Sequence, residues 1–390
     1  MPVTLEERPI FVIGSERSGT TLILAILACH PRIAVPEVTW FYPRFRNYVH
    51  TYGDLSNIDN FNTLAHEMAY GLRVPFWNMD GVNPATWGKE IAAEAAKIEQ
   101  SFAGVFAAMF EKYARAQNKP RWGEKTPGNV AYVESILKDF PNAQFIYIYR
   151  DCRDASAEFL DSQFGPTNAY TTAKMWNDGQ NAVKPFRDSL SADQWFNIKY
   201  EDFVVDPVDH LKRMCEFLGE DYTDALMEFH TTPTAQRRGK TKDNWALAHP
   251  ITDQHVGIYK HMLSIDQQRI MSWVAGDMMR ELGYEDIAEP LEQTDEQVAL
   301  AVEMDGRYRA ATLDAPHGWI TFESYGDWLI DQREVRKRAG LWSDTDAPAP
   351  APYPIGTPDE EYYSGMRAAR QWKEYFGIKR DYTGAKSVLK

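Results

Sequence analysis

The chain has 390 residues, 44% hydrophobic and 13% aromatic, enough to bury a large core. Its 42 Lys and Arg against 56 Asp and Glu give a net charge of −14, which argues against general nucleic-acid binding and disfavours large polyanionic partners. Cys29, Cys152 and Cys215 are widely separated and form no disulfide framework or zinc spacing, no apolar run of about eighteen residues could span a membrane, and the N-terminus lacks a signal-peptide pattern, so the expected location is cytoplasmic.

Residues 9–13 (PIFVI) form a β-branched apolar run ending at Gly14, the pattern of a buried parallel strand. Helical spacing follows from Thr21 to Cys29 and stops at His30-Pro31. Residues 88–117 read as one long helix with room for a single break, and 131–139 as another helix. The run QFIYIY, residues 144–149, is a second buried strand, with a helix after it to about Leu160. Residues 195–199 are a third strand. Pro207 suits the first turn of a helix that runs to Leu218, just before Gly219. An amphipathic helix covers 265–282. Strands alternating with helices imply an α/β fold with a P-loop-type central parallel sheet flanked by helices. By composition, residues 1–289 form this domain and 290–345 an acidic, aromatic-rich extension suited to lining an acceptor pocket. Residues 346–358 are a Pro-rich linker, and 359–390 a tail with a helix near 359–375.

The segment Gly14-Ser15-Glu16-Arg17-Ser18-Gly19-Thr20-Thr21 has the spacing G-x-x-x-x-G-x-[ST] between a strand and a helix. Glycines there let backbone N–H groups curl around a phosphate, and a helix N-terminus adds partial positive charge. A triphosphate-binding loop has Lys where this chain has Thr20; here the cation is Arg17, three positions earlier. Further along come Arg121-Trp122-Gly123-Glu124-Lys125-Thr126-Pro127, the strand-end pair Tyr149-Arg150, the segment Tyr200-Glu201-Asp202, and Arg237-Arg238-Gly239-Lys240.

These segments resemble the sulfotransferases that use 3′-phosphoadenosine 5′-phosphosulfate (PAPS), whose loop carries Lys or Arg ahead of Ser-Gly-Thr-Thr; the resemblance covers about residues 9–285. It implies PAPS as sulfuryl donor, with Arg17, Ser18, Gly19, Thr20 and Thr21 cradling its 5′-phosphosulfate. It further implies Arg150 on the 3′-phosphate, Tyr200 near the adenine, and Arg238 and Gly239 in a loop closing over the 3′-phosphate. Lys125, in the EKTP motif of bacterial members, and Arg17 would stabilise the leaving oxygen. Pro127 stands where the His-dependent members carry their base. Glu37, seven residues after His30, matches the catalytic Glu of tyrosylprotein sulfotransferases and is the expected general base, with Glu124 as its rival.

One position departs from the pattern. The family places Ser eight residues after the strand-end Arg, and here that residue is Glu158, with Ser156 lying about 200° around a helix from it and Ser162 one turn further on the same face. A carboxylate beside a 3′-phosphate is unfavourable unless it points away or is paired. Lys260 is a further candidate cation or an ordinary solvated residue. No metal-ligand cluster is visible, and sulfuryl transfer requires no metal in principle. The expected acceptor is a small molecule with a hydroxyl or amine, with no nucleic acid partner; a homo-oligomer is left open. The alternatives are a P-loop kinase or NTPase, which would need the lysine Thr20 replaces, and a non-catalytic nucleotide-binding module, which Glu158 favours.

Overall fold

The computed structural model describes residues 4–71, 87–162, 165–312 and 319–347. The helix expected near 359–375 and most of the linker expected at 346–358 lie outside the described residues. The described chain divides into two compact units, one built from residues 6–38 and 110–305, the other from 39–109 and the residues from 306 onward, together with the N-terminal five. The compositional boundary near 290 falls between the helices Ile265–Glu281 and Asp295–Thr312.

The first unit contains a five-stranded sheet: β1 (Ile10–Ile13), β2 (Ile33–Ala34), β3 (Arg121–Lys125), β4 (Gln144–Tyr149) and β5 (Trp195–Lys199). The order is β2-β3-β1-β4-β5 and every pairing is parallel. Side chains alternate between faces along a strand, and both faces of β1 are covered. Ile10 and Val12 join Ile23, Leu27, Ile146, Ile148 and Leu211 in one apolar cluster. Phe11 points the other way, 6.3 Å from the Trp122 ring and 5.8 Å from Phe145. All four β1 side chains have no solvent exposure, and each such burial is worth about 1.5–3 kcal/mol. This explains why the run PIFVI shows no polar alternation.

Residues 88–117 form two helices, Gly88–Ala95 and Phe102–Ala116, separated by the single break the sequence left room for, and the Ser101 hydroxyl accepts from the Gly104 N–H at the start of the second. Where expectation and structure differ, the causes are local. The expected helix at 131–139 starts as a 3-10 turn, Pro127–Tyr132, because Pro127 supplies the first turn, and only Val133–Asp139 is α-helical. The EKTP motif begins on a strand, since Arg121–Lys125 is β3. The longest helix of this unit, Ala169–Arg187, was not anticipated.

The second unit is helical among the described residues, with Phe41–Phe45, Ile58–Gly71, Gly88–Ala95 and Trp319–Arg338 among its helices. Tyr42 packs against Phe102 and Phe106. A buried ion pair, Arg336 to Glu67 at 2.7 Å, is completed by the Tyr52 hydroxyl donating to the same carboxylate. No described helix is long and apolar enough to cross a membrane.

Candidate active site

In an open parallel sheet, ligands bind beyond the carboxyl ends of the strands. Here β1 ends at Gly14, β3 at Lys125, β4 runs into Arg150 and β5 into Tyr200. The sheet thereby brings four segments singled out from the sequence to one edge of the first unit.

The loop after β1 is tightly curled. A Cβ at Gly14 would stand 2.1 Å from the Ile148 carbonyl oxygen, so no other residue fits there. The Ser18 N–H donates to the Ser15 carbonyl at 3.2 Å. Arg17 has φ 64 and Gly19 φ 101, both left-handed. For Arg17 this costs about 1–2 kcal/mol, and strain of this kind concentrates at ligand sites. The helix Thr20–Ala28 follows with no side-chain cap at Gly19, so its first-turn N–H groups remain available to an anion. Ser18 is fully buried, and its hydroxyl has no hydrogen-bond partner among the described residues. A buried orphan hydroxyl inside an N–H-lined loop suits a phosphate oxygen.

The helix Ala169–Arg187 supports the loop from behind. Gln180 donates to the Ser15 hydroxyl at 3.0 Å and accepts from the Tyr147 hydroxyl. One turn earlier, the Trp176 indole donates to the Arg150 carbonyl at 2.9 Å. Sequence reasoning missed this helix. Its available signal was the i, i+4 spacing of Trp176 and Gln180 in a window of otherwise modest helix formers.

Arg150 is 2% exposed. Its guanidinium donates to the carbonyls of Arg17 at 3.0 Å and His255 at 2.6 Å, and lies 4.6 Å over the Tyr200 ring. Tyr200 also packs beside Gly19, where a Cβ would come within 3.0 Å of its ring. Burial pushes the Tyr200 hydroxyl up to about 12. Glu158 accepts from Arg150 Nη1 at 2.8 Å, from Arg17 Nη2 at 2.7 Å and from His255 Nδ1 at 3.1 Å. Burial alone would raise its carboxyl; Arg150, the His255 hydrogen bond and Arg17 outweigh that and hold it well below the usual carboxylate range. Ser156 is buried, with its hydroxyl 3.9 Å from Cys152 Sγ.

Lys125 is 2% exposed, with Nζ 3.4 Å from the Thr21 hydroxyl. Burial pulls its ammonium down to about 8, partly offset by the field of Glu37 and opposed again by Arg238. Glu37, Lys125 and Arg238 therefore share one electrostatic neighbourhood. Arg238, at the end of the helix Pro233–Arg238, donates to the Glu37 carboxylate. Gly239 follows, where a Cβ would meet that of Ala248 at 2.4 Å. Glu124 faces away from Lys125, as neighbouring strand residues must. It has no exposure, and its two oxygens accept from Thr126 and from Asn129 at 2.7 Å. Lys260 is exposed, 5.8 Å from the Tyr259 ring.

His255 was also missed in the sequence. It reaches Glu158 because Asp154, on the helix Cys152–Leu160, accepts from the backbone N–H groups of Gly257 at 2.7 Å and Tyr259 at 3.0 Å. No spacing rule relates residues 154 and 257.

A sequence model described as the sulfotransferase family matches residues 9–224, more than half of the chain. A putative protein-tyrosine sulfotransferase of Caenorhabditis briggsae is 24% identical over 231 residues, covering 57% of this chain and 70% of the relative. An uncharacterized protein of Aquifex aeolicus is also 24% identical, and there the match spans 27% of the relative. An omega-hydroxy-beta-dihydromenaquinone-9 sulfotransferase of Mycobacterium tuberculosis is 22% identical, covering 55% of this chain and 63% of the relative. Two of these three relatives are thus matched over less than two thirds of their length. The fold resembles the solved sulfotransferase domain of a Synechococcus olefin synthase, with TM-score 0.50 and 18% identity, covering 72% of this chain and 95% of that one.

Proposed function

The chain belongs to the sulfotransferase family, and on that premise we propose that it moves a sulfuryl group from PAPS to the hydroxyl or amine of a small acceptor. The observation that carries the proposal is the loop Gly14–Thr21, with its strained Arg17 and its orphaned buried Ser18 hydroxyl, set at one sheet edge with Lys125 and Arg150. Thr20 in place of a P-loop lysine speaks against a triphosphate donor.

In this reading the loop N–H groups, Ser18 and Thr21 hold the 5′-phosphosulfate, and Arg150 lies toward the 3′-phosphate. The acceptor oxygen attacks sulfur as the bond from sulfur to the bridging phosphate oxygen breaks. Charge appears on that bridging oxygen, and the Lys125 ammonium and the Arg17 guanidinium stabilise it. The acceptor proton passes to Glu37. One fact supports Glu37 over Glu124: both carboxylates act electrostatically on Lys125, but Glu124 is sealed with both oxygens engaged. Tyr200 and Gly239 act through packing, one beneath Arg150 and the other in the turn after Arg238. We also propose a cytoplasmic location, on composition alone.

The test is steady-state conversion of PAPS to 3′-phosphoadenosine 5′-phosphate while hydroxyl-bearing metabolites are added in turn. Acceptor-dependent conversion is expected. Consumption of ATP in its place would overturn the proposal.

A further inference from the structure

Glu158 is the residue that the donor reading absorbs least. Its carboxylate is ringed by three donors, Arg150, Arg17 and His255, at 2.8, 2.7 and 3.1 Å. The two guanidiniums are the ones the donor reading assigns to its anionic groups. The arrangement is fixed from every side. Glu158 sits on the helix Cys152–Leu160, and Asp154 of that helix anchors the turn that delivers His255. Trp176 and Tyr200 hold Arg150 in place. Arg150 still has capacity for a ligand, because its buried Nε has no hydrogen-bond partner among the described residues.

We infer that Glu158 occupies the seat of the donor's 3′-phosphate and competes with it, so that this chain discriminates only weakly between adenosine 5′-phosphates with and without a 3′-phosphate. The inference rests on the proposed placement of Arg150 toward the 3′-phosphate. A carboxylate and a phosphate cannot both take the same N–H donors. Bringing them together adds like-charge repulsion, and swinging the carboxylate out abandons three charge-assisted contacts. A free 3′-hydroxyl meets neither obstacle, since it can donate to the carboxylate. Glu158 is thereby a specificity-determining residue that acts on which nucleotide binds.

The experiment is calorimetric titration of 3′-phosphoadenosine 5′-phosphate and of adenosine 5′-phosphate into the full chain and into Glu158→Gln. The wild type should prefer the bisphosphate by less than about tenfold, and Glu158→Gln should raise that preference by about tenfold or more, the scale of one close charge contact in a buried site. A wild-type preference above about tenfold overturns the inference, and this readout does not depend on the variant folding. A preference that is unchanged or lowered in Glu158→Gln overturns it as well, because Glu158 would then be a scaffold for the arginines. The two claims fail separately. A chain that turns over PAPS yet shows either overturning result keeps the proposed function and loses this inference, and one that binds neither nucleotide loses both.

Discussion

Replacing Lys125 by Met separates the cost of this residue from its use. Lys125 is 2% exposed and its ammonium is drawn down to about 8, with burial the largest cause. Against an unperturbed lysine near 10.4, that displacement corresponds to about 3 kcal/mol of stability withheld by the charged form. The unfolded chain binds the Lys125 proton up to the ordinary lysine value, whereas the folded chain releases it above about 8. Wild-type stability therefore gains with pH between those values, and below about 8 the whole cost is present. Lys125→Met keeps the bulk of the stem and removes the titration. Its stability relative to wild type should fall by about 3 kcal/mol between pH 7 and pH 10.5. Urea denaturation at the two pH values measures this difference. The same variant should lose most of its turnover, because the developing charge on the bridging oxygen loses its ammonium, at a cost of about 3–4 kcal/mol or 10²–10³ in kcat. A stability difference independent of pH would refute the buried charge, and a normal kcat would refute the role given to Lys125.

Arg17→Ala should abolish measurable turnover, since it removes a cation held within the loop and paired to Glu158; normal kcat would exclude Arg17 from the transition state. Glu37→Gln should lower kcat while donor affinity is largely kept, and an active Glu37→Gln beside a folded but dead Glu124→Gln would transfer the base to Glu124. Gly14→Ala should destabilise the fold by about 3 kcal/mol or more, because its Cβ would stand 2.1 Å from the Ile148 carbonyl oxygen; an unchanged thermal midpoint would contradict the tight curl of the loop.

The parts of the fold legible in the sequence are those whose burial is apolar. The strands β1, β4 and β5 were legible as short runs rich in β-branched and aromatic residues. The strand β3 was not, because RWGEK carries three charged residues, two of them fully enclosed. Glu124 is tolerated there through Thr126 and Asn129, and those contacts exist only once the chain has turned. The helix Ala169–Arg187 had a readable apolar period, blurred by Asn, Gly and Thr. At the site, Arg17 and Arg150 were legible because each lies just beyond a readable strand, whereas Lys125, on the unread strand β3, was legible only through the EKTP motif. The misfit of Glu158 with its family pattern was legible too. Its solution was not, since His255 comes from a segment about a hundred residues away and arrives through contacts made by Asp154.

The central claim is sulfuryl transfer. Its most direct test follows radiolabelled sulfate from PAPS into products across a panel of hydroxyl- and amine-bearing metabolites, with wild type beside Arg17→Ala. Labelled product with the wild type and none with Arg17→Ala is the predicted result. A wild type that transfers no label, or that moves the terminal phosphate of ATP onto the same metabolites, would contradict the account.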